Sequence, residues 1–139
     1  MKVTVIHEEE ENVMLNKDRF RFRTFKIYKS LQNTTMANGD TIVYKKFLGR
    51  VTAITVPTDE TKNNFVVDFA FCSIKDNYNK DIGKDIALTR LMDKFYEKKD
   101  LITINKLDGE RVNDVIKEII LSHANEINWL RGVKKEDIV

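Results

Sequence analysis

The sequence predicts an α+β domain, a mostly antiparallel sheet in the N-terminal half followed by two C-terminal helices. Three observations carry this. Apolar residues alternate with period two through the first half, the period changes to a helical one after Gly83, and no repeat or Gly/Ser linker divides the 139 residues. A single domain over residues 1–139 is the expected organisation.

The elements follow in order. Met1–His7 alternates in strand fashion. In Arg19–Lys29, Phe20 and Phe22 fall on one face and Arg19, Arg21 and Arg23 on the other. Phe25 and Ile27 then continue the apolar set with the opposite parity, which predicts a β-bulge near Thr24. Asn38-Gly39-Asp40 signals a turn, because Asn and Gly tolerate positive φ. A long strand pattern runs from Thr41 to Val56, interrupted by Gly49 and closed by Pro57-Thr58-Asp59. Asn64–Cys72 is the most apolar strand and the expected centre of the sheet, so five strands are expected in the first half. Gly83–Lys99 places Ile86, Ala87, Leu91, Met92 and Phe95 at helical spacing, and Leu101–Ile104 reads as a short strand or extended connector. A second helix is expected from Asp108-Gly109 to about Arg131, capped by Asp108 and stopped by Gly132, with Val112, Val115, Ile116, Ile119, Ile120, His123 and Ile127 on its apolar side.

Composition excludes several classes. No apolar run approaches the roughly 20 residues of a membrane span, and the N-terminal residues lack a signal-peptide pattern. One cysteine, Cys72, makes no internal disulfide, so the expected location is cytoplasmic. The chain carries neither a GxxxxGK[ST] nor a GxGxxG sequence, hence no P-loop or dinucleotide-binding signal. His7 and His123 have no second ligand at metal-binding spacing, and the run Glu8–Glu11 reads as a solvated acidic stretch rather than an ion site. Cys72 reads as a small buried hydrophobe and His123 as a satisfied core or interface residue. Catalytic residues, a metal and a cofactor are therefore not expected, and the chain is read as a protein that is not an enzyme.

Two groupings could bind a ligand. Arg19, Arg21 and Arg23 form a basic stripe backed by phenylalanines. Their planar forks match phosphate and stack on bases, although the stripe could equally be a solvated face paired with Glu8–Glu11. The second is the strand-to-helix loop Ser73–Lys84, which combines lysines, amides and the ring of Tyr78 at a helix N-terminus where anions are favoured. An ordinary polar loop with Asn/Asp turn chemistry has the same composition.

Within that region, Phe71-Cys72-Ser73-Ile74-Lys75-Asp76-Asn77-Tyr78-Asn79-Lys80-Asp81-Ile82-Gly83-Lys84-Asp85-Ile86-Ala87-Leu88-Thr89-Arg90-Leu91 resembles the phage anti-Thoeris sponge proteins, the first type of Thoeris anti-defence protein. The likeness runs through a cysteine at a strand end, an Asp–x–aromatic loop, a glycine, and Ile-Ala-x-x-Arg on a helix. A Lys-, Asn- and Ile-rich chain with one proline fits an AT-rich source such as a low-GC bacterium or its phage.

The resemblance implies an oligomeric, non-catalytic protein that sequesters cyclic ADP-ribose-type immune signals, in some members cyclic oligonucleotides, inside the host cell. It implies that Tyr78 stacks on adenine, that Asp76 and Asn77 shape the loop, that Lys84 faces phosphate, and that Arg90 is a second cationic contact or an inter-subunit link. Leu88 stands where a sponge of this kind would place a polar base-contacting residue. Arg21 and Arg23 complete the expected ligand set. The expected partners are a cyclic nucleotide and further copies of the chain, and no membrane. The alternatives are a phage nucleic-acid-binding protein using the Arg19/Arg21/Arg23 face, for which a net charge of +2 is mild, and a protein–protein inhibitor.

Overall fold

The structure, a computed structural model, describes residues 2–6, 17–31, 33–61 and 63–139; the readings of His7 and Glu8–Glu11 lie outside them. Five strands form one sheet in the order β1-β7-β6-β5-β2, with every neighbouring pair antiparallel. They are β1 (Lys2–Ile6), β2 (Arg21–Ser30), β5 (Lys45–Pro57), β6 (Asn64–Ser73) and β7 (Leu101–Asn105). A separate two-stranded hairpin, β3 (Thr34–Thr35) with β4 (Thr41–Ile42), extends the connection between β2 and β5. The helices are α1 (Lys80–Glu97) and α2 (Val112–Ser122). The α+β class is as expected, and β6 is the central strand.

The helices take opposite faces of the sheet. On one face Ala87 and Leu91 of α1 pack with Ile54, Val56, Val66, Ala70 and Leu101. On the other, Val115, Ile116, Ile119 and Ile120 of α2 cover Phe25, Ile27, Val51, Ala53, Phe65, Val67, Phe69, Ile102 and Ile104, joined by Leu130, Val133 and Ile138 near the C-terminus. Each fully buried aliphatic or aromatic side chain contributes roughly 1.5–3 kcal/mol through removal from water. Trp129 is half-buried against this second core. Double coverage explains why Phe65 to Ala70 shows no alternation. Both parities of the strand are inside.

The same coverage corrects the bulge expected at Thr24. Thr24 pairs with Thr52 in unbroken register, Phe22 faces the α1 side, and Phe25 and Ile27 face α2. The apolar residues change parity because they serve two cores. The irregularity lies further along, where Ile27 pairs with Gly49 and Tyr28 with Phe47, leaving Leu48 as the extra residue in β5. Gly49 is required there. A Cβ at this position would run into the Cys72 carbonyl oxygen of the neighbouring strand. Gly83 has a comparable role in α1, since its added Cβ would sit 2.8 Å from Thr52 Oγ1 and push the helix off the sheet.

The helix boundaries also differ from expectation. Helix α1 begins three residues before Gly83, because Asn79 Oδ1 accepts the N–H groups of Asp81 (3.0 Å) and Ile82 (3.1 Å). It ends at Lys98, whose φ is +53°. Helix α2 is 11 residues, far shorter than expected. Asp108 is held by Asn63 Nδ2 at 2.6 Å instead of capping it, and the helix stops at His123, whose Nδ1 lies 2.8 Å from the Ile119 carbonyl. Gly132 turns the chain later, after a 3-10 turn at Asn128–Leu130. Leu101–Asn105 is a full strand, inserted between β1 and β6.

The C-terminal residues are stitched to β2. Lys26 and Val139 exchange two backbone hydrogen bonds of 2.9 Å, and Ile138 is buried opposite Ile27. Asp137 secures this tail from a fully buried position, accepting from Ser30 Oγ (2.8 Å) and the Lys134 N–H (3.0 Å) with Lys45 Nζ at 3.7 Å. Burial pushes its carboxyl upward, but these hydrogen bonds and the two lysine charges outweigh that and leave it below the ordinary value. A lowered folded-state value stabilises above the unfolded carboxylate range and is lost as pH falls through the folded value. Asp137→Asn should therefore cost about 1–3 kcal/mol at neutral pH and much less in strong acid. Urea denaturation of both proteins across pH 7 to 2 checks this, with the gap between the two curves closing toward the acid end.

Candidate functional site

A concavity lies at the β2 end of the α2 face. It is a cleft of about 400 Å³ lined by Arg19, Phe20, Arg21, Arg23, Thr55, Pro57, Thr61, Asn64, Phe65 and Val112. The volume falls within the range of small-molecule sites. Strand alternation builds it. Arg21 and Arg23 share the α2 face with Phe25 and Ile27, and Arg21 lies opposite Thr55 in the pairing of β2 with β5. Arg19 approaches from a 3-10 turn, Lys17–Arg19, just before the strand. Phe65 supplies an apolar floor, and Phe20, 49% exposed, stands edge-to-face to Phe22 with centroids 5.6 Å apart.

Three arginines thus line a cleft with no carboxylate among its described lining residues. Arg23 is half-buried and donates to Thr55 Oγ1 at 2.9 Å. Burial, followed by the neighbouring Arg21 charge, draws its pKa below the ordinary arginine value. Such an arrangement favours an anion, which would relieve the repulsion and satisfy the forks bidentately. The first turn of α2 reaches the cleft at Val112 and has no side-chain cap, so its positive end adds to the attraction, partly offset by Asp114. Thr55 accepts from Arg23, while the Thr61 hydroxyl and the Asn64 amide both donate to the Asp59 carboxylate at 2.6 Å, which places one acid just behind the lining. The described lining holds no histidine, cysteine or carboxylate to act as a base or nucleophile.

The loop residues are placed differently. Arg21 and Arg23 come together in the cleft, whereas Asp76, Asn77, Tyr78, Lys84, Leu88 and Arg90 belong to the loop and helix on the α1 side. Asp76 and Asn77 are exposed, and Asp76 accepts from Ser73 Oγ at 3.2 Å in a turn closed by its own N–H to the Ser73 carbonyl at 3.0 Å. The Tyr78 ring is half-buried and carries the Arg50 guanidinium 4.6 Å above it. Arg50 also lies 5.0 Å from the Phe47 ring. Lys84 Nζ lies 5.5 Å from the Phe22 ring centroid, and Leu88 packs against the α1 core. Arg90 donates to the Phe69 carbonyl at 3.0 Å. These contacts tie the segment to the sheet. Cys72, half-buried, has its thiol pushed up chiefly by burial and then by Asp76, which weakens it as a nucleophile.

Arg50 and the hydroxyl- and amide-bearing lining residues were absent from the expected site. Arg50 follows Gly49 in an unremarkable strand, and Thr55, Thr61 and Asn64 join the arginines only through β5–β2 pairing and the following turn. Among the described residues no group of three or more His, Cys, Asp or Glu gathers in a metal-binding arrangement, and no helix is long and apolar enough to cross a membrane. No protein-family model, curated protein or solved structure matches the chain.

The cleft should bind simple polyanions. Pyrophosphate should raise the thermal midpoint in low salt, Arg21→Ala with Arg23→Ala should abolish the rise, and added salt should weaken it. Arg90→Met should leave the rise intact while lowering stability by about 1–3 kcal/mol, because the Phe69 carbonyl loses its donor. Thermal melts of the three proteins with and without pyrophosphate read both effects.

Proposed function

We propose that this chain is a non-catalytic binding protein for a phosphate-bearing nucleotide, held at the Arg19/Arg21/Arg23 cleft. Following the anti-Thoeris sponge resemblance, the ligand is a cyclic nucleotide immune signal of the cyclic ADP-ribose type. The protein would be phage-encoded and would act in the host cytoplasm, where capture of the signal blocks defence. The observation that carries this reading is the cleft itself: three arginines, no carboxylate among its described lining residues, and about 400 Å³ of space. Phosphates would meet the guanidinium forks, while Phe20 and Phe65 offer apolar surface to a base or ribose. The lack of a base or nucleophile among the described lining residues supports retention without turnover.

A nucleic-acid backbone is the second reading. It is favoured by the exposure of Arg19, Phe20 and Arg21 at the rim, where a strand could track past the cleft.

Calorimetry with cyclic ADP-ribose isomers, cyclic oligonucleotides and mixed-sequence single-stranded DNA separates the two. The expected result is tight binding of a cyclic nucleotide that is recovered intact after denaturation. Arg23→Ala should weaken it roughly 10- to 100-fold. Tyr78→Ala should have little effect, since that ring already carries Arg50. The reverse pattern, loss with Tyr78→Ala and none with Arg23→Ala, would move the ligand to the loop. Salt-dependent DNA binding with silence toward the cyclic nucleotides would overturn the capture reading.

A further inference from the structure

Outside the cleft, two surfaces of the molecule match each other. The β3–β4 hairpin stands apart from the five-stranded sheet, and every described residue from Leu31 to Lys46 is exposed. It nonetheless carries Leu31, Met36, Ile42, Val43 and Tyr44, which are 37–52% exposed. Its internal bonds are short and regular, with Leu31 N–H donating to the Tyr44 carbonyl at 2.7 Å and a tip closed by Met36, Asn38 and Asp40. An ordered apolar arm held in water is costly unless it meets a partner. Its base is cationic. Lys29 and Lys46 are paired across the strands, and Lys45, next to them, has its ammonium 3.7 Å from Asp137.

The outer face of α1 has the opposite character. Ile82 and Ile86, one turn apart, are 56% and 40% exposed. The helix has as many acids as bases between Lys80 and Glu97, but they are not distributed evenly. Lys84, Arg90 and Lys94 are turned to the sheet, contacting the Phe22 ring, the Phe69 carbonyl and Asp68 respectively. Asp81 and Asp85 are exposed beside the two isoleucines, Asp93 and Glu97 are exposed two and three turns further along, and Lys80 is the exposed base at the N-terminal end.

We infer that the hairpin arm of one copy docks on the outer face of α1 of a second copy. Apolar side chains then bury apolar side chains, and the lysines at the base of the arm approach the aspartates of the helix. The surfaces are different parts of the molecule, so the contact is heterologous: each copy gives an arm and receives one, and the assembly closes as a ring or continues as a filament. This surface is independent of the arginine cleft.

Sedimentation of the full chain tests the arrangement. The wild type should associate in the micromolar range and dissociate as salt is raised. Val43→Glu puts an acid on the arm, and Ile86→Lys puts a base on the helix; each variant alone should sediment as a monomer. Mixed in equal amounts, they should form a 1:1 heterodimer, because the intact arm of one meets the intact helix of the other. Circular dichroism confirms folding of the variants. Should either substitution disturb the fold, the exposed reversals Lys46→Glu and Asp85→Lys replace it in the same design. A wild type that stays monomeric, variants that associate as the wild type does, or a mixture that remains monomeric would each overturn the proposal.

Discussion

A clamp of two cations from α1 on the central strand organises this molecule. Asp68 lies in the middle of β6, only 4% exposed, with one carboxylate oxygen accepting the Phe69 N–H at 2.8 Å. The other oxygen sits 3.1 Å from Lys94 Nζ in an ion pair. One turn earlier, Arg90 takes the Phe69 carbonyl. Strand β7 runs beside β6 only as far as Val67, so the Phe69 backbone groups are served by Asp68 and Arg90 instead. A charge buried this deeply is tolerated only when paired, and breaking such a pair typically costs about 3–5 kcal/mol. The clamp fixes the position of α1 along the sheet, and Gly83 sets how closely it approaches.

This arrangement gives the motif around Tyr78 a physical meaning of its own. Glycine, tyrosine and arginine at those spacings are what a helix needs to lie against β5 and β6 and to anchor the loop that leads into it. A ligand-binding loop and a structural latch draw on the same residue types. Here the aromatic ring, the arginine and the lysine all have partners within the chain. The arginines of β2 line the cleft, Arg23 with its guanidinium on Thr55 Oγ1.

The fold class, the central place of β6, the turn at Asn38–Asp40 and the core face of α2 were legible because each depends on local period or turn chemistry. The position of the bulge was not, since a parity change in β2 looks the same whether a residue is inserted or both sheet faces are covered. The length of α2 is not legible in the sequence for a related reason. Ile127, Trp129 and Leu130 continue an apolar pattern, but they reach the core from turns after the helix has ended. Of the cleft, the arginine stripe was readable from alternation alone. Thr55, Thr61, Asn64 and Val112 were not, because strand pairing and the placement of α2 bring them there across long stretches of sequence.

The insertion of β7 between β1 and β6 has a consequence for how the protein is made. Among the described residues strand β1 pairs only with β7, with Lys2 opposite Asn105 and Ile6 opposite Leu101. During synthesis β1 therefore lacks its pairing partner until about a hundred further residues have been added, a wait of roughly 5–20 s at ordinary elongation rates. Over that interval β2, β5 and β6 can pair in sequence as hairpins, and α1 can settle on them. The N-terminal strand is the last to be enrolled, by a long-range pairing of the kind that slows folding. Chaperone dependence during synthesis should accordingly follow the arrival of residues 101–105 rather than the emergence of the N-terminus.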